Sequence, residues 1–233
     1  MTTTDNTVAI VGGTGALGSA LALQLARAGI NVRIGSRQLG SAEEAVARIQ
    51  SRLEDPDAPV TAHVNEDAVQ GVEIVFLTVP FRAQSENLTN LKNVLGEGQI
   101  LVDATVPLAA AVSGKATRTI GVWQGSAAQQ AQEMVPDGVI VVSALHSVSA
   151  VTLGEVEAEH EEQDVLVMAN KKAAKARVAK LIDLIPGLRA VDGGPLEAAR
   201  IAEQITALLI GVNIRYKTHA GVRFTDLPAR DWE

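Results

Sequence analysis

The sequence predicts a doubly wound α/β fold, a mostly parallel sheet with helices on both faces. Three observations carry that expectation. Short Val-, Ile- and Leu-rich runs alternate with alanine-rich amphipathic segments through most of the 233 residues. Hydrophobic residues make up 47% of the chain but aromatics only 3%, so the core must be built from aliphatic side chains and alanine, which suits buried parallel strands. The first strand-like run passes directly into a glycine-rich turn and then a helical segment.

The elements follow in order. Thr7-Val8-Ala9-Ile10-Val11 is an apolar strand, 19–28 a helix, and Asn31-Val32-Arg33-Ile34-Gly35 the second strand. Ala, Val and Ile recur at helical spacing over 41–53, with Asp55-Pro56 as the stop. Val60-Thr61-Ala62-His63-Val64 is a short strand, and 72–80 a buried strand ended by Pro80. A helix is expected over 82–94 and a strand at Ile100-Leu101-Val102-Asp103. The stretch 104–125 lacks periodicity and is long for a simple connection, which marks it as a candidate functional loop. A helix over 129–135, strands over 139–145 and 164–169, an amphipathic helix over 171–185 and a strand over 188–192 complete the sheet. Beyond Gly193-Gly194-Pro195 a last helix carries Ile201, Ile205, Leu208, Leu209 and Val212 on one stripe, read chiefly as core packing. The chain therefore divides into 1–192 and a C-terminal segment, 193–233, whose helix is expected to pack on the domain edge or on a second subunit.

Composition excludes several function classes. The absence of cysteine removes disulfides, thiolate metal sites and cysteine nucleophiles. A net charge of −7 argues against a general nucleic-acid binder and obliges any anionic ligand to find a local basic patch. No apolar run is long enough to span a bilayer, and Met1-Thr2-Thr3-Thr4-Asp5 lacks signal-peptide character, so the expected location is cytoplasmic. The acidic run 155–162 reads as a solvated loop and no metal site is expected.

Gly13-Thr14-Gly15-Ala16-Leu17-Gly18 carries the first functional signal. In a strand–turn–helix setting these residues form a pyrophosphate cradle. Gly13 is expected to allow the tight turn, Gly15 to let the backbone approach the phosphates, and Gly18 to let helix and strand pack closely. The alternative is an ordinary glycine-rich turn. The second strand then ends in Ser36-Arg37, where an NAD site would carry a carboxylate about 20 residues past the motif. A hydroxyl and a planar guanidinium suit a 2′-phosphate instead, against the bland reading of a solvated arginine. The expected dinucleotide is NADP(H).

Ligands of open α/β sheets lie beyond the carboxyl ends of the strands. Those ends are Thr78-Val79-Pro80, Ala104-Thr105-Val106-Pro107 and Ala144-Leu145-His146-Ser147-Val148-Ser149, read as a wall along the nicotinamide half of the cofactor.

Taken together, GGTGALG, GSR, TVPF, VVSALHSVSA, GLRAVDGGPLEAARIAEQIT and the terminal HAGVRFT resemble the coenzyme F420-dependent NADP oxidoreductases over nearly the whole chain. The resemblance implies a Rossmann-type domain and hydride transfer between the nicotinamide of NADP(H) and the 5-deazaflavin ring of coenzyme F420, with the two rings stacked in one cleft. Carried over by motif, Thr14, Ala16, Leu17, Ser36 and Arg37 hold the diphosphate and 2′-phosphate, while Thr78, Val79, Val106 and Ala144 line the nicotinamide half. His146 and Val148, with Arg200 and Thr206 on the last helix, face the deazaflavin: Val148 as a spacer against the ring, His146 and Thr206 as hydrogen-bonding partners of its polar edge. Homodimers are usual in the family. One departure stands out. Gln38-Leu39-Gly40-Ser41 offers no second basic residue after Arg37, which lowers the expected discrimination against NAD(H).

Two other readings stay open at the level of sequence. One is a Rossmann reductase of an imine or small carbonyl compound, which commonly needs a proton donor near the reacting atom. No Tyr-Lys pair or buried acid placed for that role is evident, and Tyr216 is the sole tyrosine. The other is a non-catalytic NADP(H) sensor. For His146 the bland alternative is a satisfied histidine at a strand end, and for Arg200 an exposed helix charge.

Overall fold

The computed structural model describes residues 6–53, 58–156, 162–228 and 232. The chain runs β1 (Thr7–Val11), α1 (Ala16–Arg27), β2 (Asn31–Ser36), α2 (Leu39–Gln50), β3 (Val60–Val64), α3 (Asn65–Val69) and β4 (Ile74–Leu77). It continues through α4 (Gln84–Leu91), β5 (Ile100–Asp103), α5 (Ala127–Met134), β6 (Ile140–Ser143), α6 (Ala150–Gly154), β7 (Gln163–Met168), α7 (Lys172–Ile182), β8 (Leu188–Gly194) and α8 (Ala199–Tyr216). These strands form one sheet in the order β3-β2-β1-β4-β5-β6-β7-β8.

The period-two alternation of each strand supplies two cores. Val8 and Ile10 of β1 point with Ile34, Phe76, Val102 and Val142 toward α1, α2 and α7. Ala9 and Val11 point with Val75, Leu77, Leu101 and Val141 toward α3, α4, α5 and α8. Burial on both faces is what permits near-continuous aliphatic strands. β1 to β6 are parallel, whereas β6 meets β7 antiparallel through Ser143 and Met168 alone. The tail after α8 occupies the edge of β7 that β6 leaves: the Asp164 N–H donates to the Val222 carbonyl at 2.6 Å. The buried Asp164 carboxylate accepts a forked pair from Arg189 (2.6 and 2.8 Å) and the Phe224 N–H. Burial works against its charge, but the Arg189 and Phe224 hydrogen bonds outweigh it and hold the carboxyl below its ordinary range.

Several expectations change. Pro80 starts a single 3-10 turn, Phe81–Ala83, so α4 begins at Gln84 and is shorter than the expected 82–94 helix. The short helices α3 and α6 have too little periodicity to be read from sequence. β8 runs on through Gly194, past the expected limit at 192. Asp55-Pro56 and most of the acidic run lie outside the described residues. The largest correction concerns the stripe on α8. Ile201 and Leu208 are 60% and 67% exposed, and Ile205, Leu209 and Val212 are half-buried, so the stripe is not core. The buried face of α8 is instead Ala199, Ala202, Glu203, Ala207 and Gly211, because small side chains let the helix lie close on α5 and the sheet.

Candidate functional site

The glycine turn closes β1 as expected, with one shift of role. Gly12, not Gly13, takes the left-handed conformation (φ +82°), and the Gly15 N–H donates to its carbonyl at 3.0 Å. Gly13 is a packing glycine: a Cβ there would stand 3.0 Å from the Ile10 carbonyl and from two carbons of Ile34. At Gly18 a Cβ would come within 2.6 Å of both the Gly12 carbonyl and Thr78 Oγ1, so the close helix–strand approach read from the motif is present. Gly15 meets nothing nearer than the Gly12 carbonyl at 3.3 Å. The following helix α1 has no side-chain cap and no acidic residue in its first turn, leaving its first N–H groups to an anion.

β2 delivers Ser36 and Arg37 to the rim of the same turn. Gly35 makes this possible by letting Asn65 pack beneath it, since a Cβ would stand 2.9 Å from Asn65 Oδ1. Thr78 is drawn in by a hydrogen bond from its hydroxyl to the Val11 carbonyl at 3.1 Å. A cleft of about 600 Å³ results, lined by Gly12, Thr14, Gly15, Ser36, Arg37, Gln38, Ser41, Asn65, Thr78, Val79, Pro80, Ala83 and Asn87. That volume lies in the ordinary range for small-molecule sites. No carboxylate lines it, and the Arg37 guanidinium has no partner among the described residues. The chemistry fits a dinucleotide with an extra phosphate on its adenosine ribose.

The expected residues thus divide. Thr14, Gly15, Ser36, Arg37, Thr78 and Val79 meet in the cleft; Gly13 and Gly18 lie behind it, and Ala16 opens onto a groove between α1, α2 and α6. Leu17 packs partly buried against the core, Val106 is half-buried, and Ala144 and Val148 are buried. Arg200 is exposed on α8.

A second group forms beyond β5 and β6. Leu145 is buried with φ +70°, a left-handed turn that costs a residue with a Cβ about 1–2 kcal/mol. The turn sends His146 back under the sheet end, where its ring bonds the Asp103 backbone carbonyl and Nε2 lies 3.3 Å from Ser143 Oγ. Burial pushes this imidazole down to about 4, so it is neutral. The structure therefore gives the His146 ring protein partners, while its backbone carbonyl accepts the Thr206 hydroxyl at 2.8 Å. The cavity beside His146, Ser147 and Ala202 is only about 10 Å³.

Sequence reasoning missed the polar frame around this group. Gln84 Nε2 donates to Asp103 Oδ2 (2.5 Å), Thr105 Oγ1 (2.8 Å) and the Ala127 carbonyl (2.9 Å), and Gln84 Oε1 accepts from Gln130. Asp103 is fully buried, and burial pushes it up to about 6. Glu203, 1% exposed, accepts the N–H groups of Ala127 and Ala128 at 3.0 and 3.2 Å; burial pushes it up to about 8. The one signal in the sequence was a charged residue inside each apolar run.

Comparison with known proteins gives concordant results. A family model described as NADP oxidoreductase, coenzyme F420-dependent, matches residues 7–107. The F420-dependent NADP reductase of Methanothermobacter thermautotrophicus is 39% identical over 226 residues, covering 96% of this chain and 97% of its own. That of Methanocaldococcus jannaschii is 38% identical over 223 residues, covering 94% and 98%. Among solved structures, an Arthrobacter sp. FB24 protein named as a candidate F420-dependent NADP-reductase is similar at a TM-score of 0.69 and 26% identity, covering 92% of this chain and 96% of the other.

Proposed function

Because the chain belongs to the coenzyme F420-dependent NADP oxidoreductases, we propose that its cleft takes NADP(H) and that the enzyme moves a hydride reversibly between that nucleotide and the deazaflavin of coenzyme F420. The observation that carries the nucleotide half is the unpartnered Arg37 guanidinium at the rim of a cleft without a carboxylate. A 2′-phosphate supplies the missing partner, and Ser36 adds a hydroxyl. The uncapped start of α1, with Thr14 and Gly15 before it, meets the diphosphate. Thr78 and Val79, with Val106 beyond them, form the apolar side on which the nicotinamide lies.

The cofactors supply the hydride chemistry. The protein contributes orientation, a dry setting and a fixed approach of the reacting carbons, about 3–3.5 Å apart. Arg200 and Thr206 on α8 are assigned to the deazaflavin side. Thr206 donates its proton to the His146 carbonyl, so its oxygen is left to accept a hydrogen bond. The neutral His146 ring, held by Ser143 and Asp103, sets the position of that carbonyl. Val148 packs behind as a fixed apolar wall.

The reading also holds that the enzyme is a homodimer joined through the exposed stripe of α8, and that it works in the cytoplasm, where nicotinamide nucleotides circulate. No helix of the described residues is long and apolar enough to cross a membrane. The deciding experiment mixes protein, NADPH and oxidised coenzyme F420 and follows the deazaflavin absorbance. Its decay with matching NADPH oxidation is expected. NADPH consumption only with an imine or ketone would transfer the assignment to a reductase of those substrates. Tight NADPH binding without any turnover or deazaflavin binding would make the protein a sensor.

A further inference from the structure

α8 is held to the rest of the molecule in an unusual way. Apart from Glu203, its buried residues are alanine and glycine, which interdigitate little and leave the helix free to slide or roll on its neighbours. Two polar contacts remove that freedom. Thr206 reaches the carbonyl of His146 at the end of β6, and Glu203 takes both leading N–H groups of α5. Ser126 already caps α5 by accepting the Gln129 N–H at 3.0 Å, so Glu203 satisfies the donors the cap leaves. A carboxyl buried to 1% exposure is a poor way to gain stability alone, because its charged form is desolvated. What it adds is geometric: two acceptor oxygens on one side chain fix the direction of two backbone N–H donors of α5.

We propose that Glu203 is a positioning residue for the deazaflavin half of the reaction. By gripping the head of α5 it fixes the register and roll of α8, and with them Arg200 one turn before it and Thr206 one turn after. The inference rests on the assignment of that helix to the deazaflavin side. Most of the proposed NADP(H) contacts come from the ends of β1, β2 and β4, none of which Glu203 touches; Val106, after β5, is the one that adjoins the frame.

Glu203→Gln puts an amide NH2 where one of the two acceptors stood, facing a backbone N–H. In the full-length enzyme the KM for coenzyme F420 is expected to rise about tenfold, while the Kd for NADPH alone, read from its fluorescence, changes less than about twofold. Amide exchange at Ala127 and Ala128 should quicken in the same variant. Ser126→Ala loosens the same helix end without touching Glu203; it should lower Tm and leave both constants unsplit. If Glu203→Gln does not fold, Glu203→Asp, one methylene too short to span both donors, takes its place. Unchanged constants, equal changes for both substrates, or the same split in Ser126→Ala would each overturn the proposal. A wild type that never reduces the deazaflavin would overturn the functional reading itself, which is a different failure.

Discussion

Arg37 acts at the rim of the cleft and Gly18 behind it, one by a charge without a partner among the described residues and the other by having no side chain. Replacing Arg37 with Ala removes a planar, permanently charged donor set from the rim. NADPH affinity should fall about tenfold or more and NADH affinity far less; equal losses in a fluorescence titration would contradict a 2′-phosphate contact. Gly18→Ala has no room at all. Its Cβ would stand 2.6 Å from the Gly12 carbonyl and from Thr78 Oγ1, so α1 must move off β1 or the turn must open. A loss of about 1–3 kcal/mol, seen as a lower Tm, and weaker NADPH binding should appear together. The place of Arg37 at the rim and the close packing at Gly18 were both legible in the sequence, since both follow from spacing along the first strand–turn–helix–strand. The tight turn expected at Gly13 falls one position earlier, at Gly12, because the motif fixes the order of the glycines, not which of them bears the positive φ. Leu145 was invisible: nothing in a leucine announces a left-handed backbone.

Among the elements, α8 departs furthest from expectation. Its apolar stripe was legible as a stripe, but the periodicity of a helix says only that one face is apolar, not what covers it. The neighbours decide, and here α5 and the sheet accept the small-residue face. Ile201 and Leu208, joined by Ile214 and Tyr216 at 68% and 75% exposure, are left outward. Leu208→Asp should therefore convert a dimer to a monomer in sedimentation velocity, with little change in the unfolding of the monomer itself. A wild type that sediments as a monomer would remove the stripe from the interface. The strand ends behaved differently. β1, β2 and β4 carry the cleft proposed for the nucleotide and were legible in the sequence, because each end is marked by glycine, Ser-Arg or proline. β5 ends in the buried frame, whose members Gln84, Asp103, Ala127 and Glu203 come from four separate elements, α4, β5, α5 and α8.

For the whole molecule, buried titrating groups set the pH dependence of stability. Glu203 rises from an ordinary 4.5 to about 8 and Asp103 from 3.8 to about 6, both through burial. A carboxyl whose folded pKa is raised gives its full contribution below the unfolded pKa and loses it as pH climbs through the folded one. His146, lowered from 6.5 to about 4 by burial, has the opposite sign: its contribution is present above 6.5 and is lost as pH falls through 4. Above pH 6.5 Glu203 carries most of the remaining change, since Asp103 is largely ionised and His146 largely neutral in both states. Stability should thus decline by roughly 2 kcal/mol between pH 6.5 and 8, and Glu203→Gln should flatten that slope in urea unfolding. A wild-type profile that is level across this interval would mean that Glu203 ionises near its ordinary pKa.

By itself the sequence determined the doubly wound sheet, the glycine turn between β1 and α1, and the Ser-Arg pair that ends β2. These are written in contiguous residues, where the periods of strand and helix and the chemistry of a few side chains act locally. Only the tertiary structure decided that the α8 stripe faces outward, that the His146 ring turns inward to Ser143 and Asp103, and that Glu203 grips a helix 75 and 76 residues away in the chain. Contacts of that kind depend on which surfaces meet once the sheet is built, and local patterns carry no record of them.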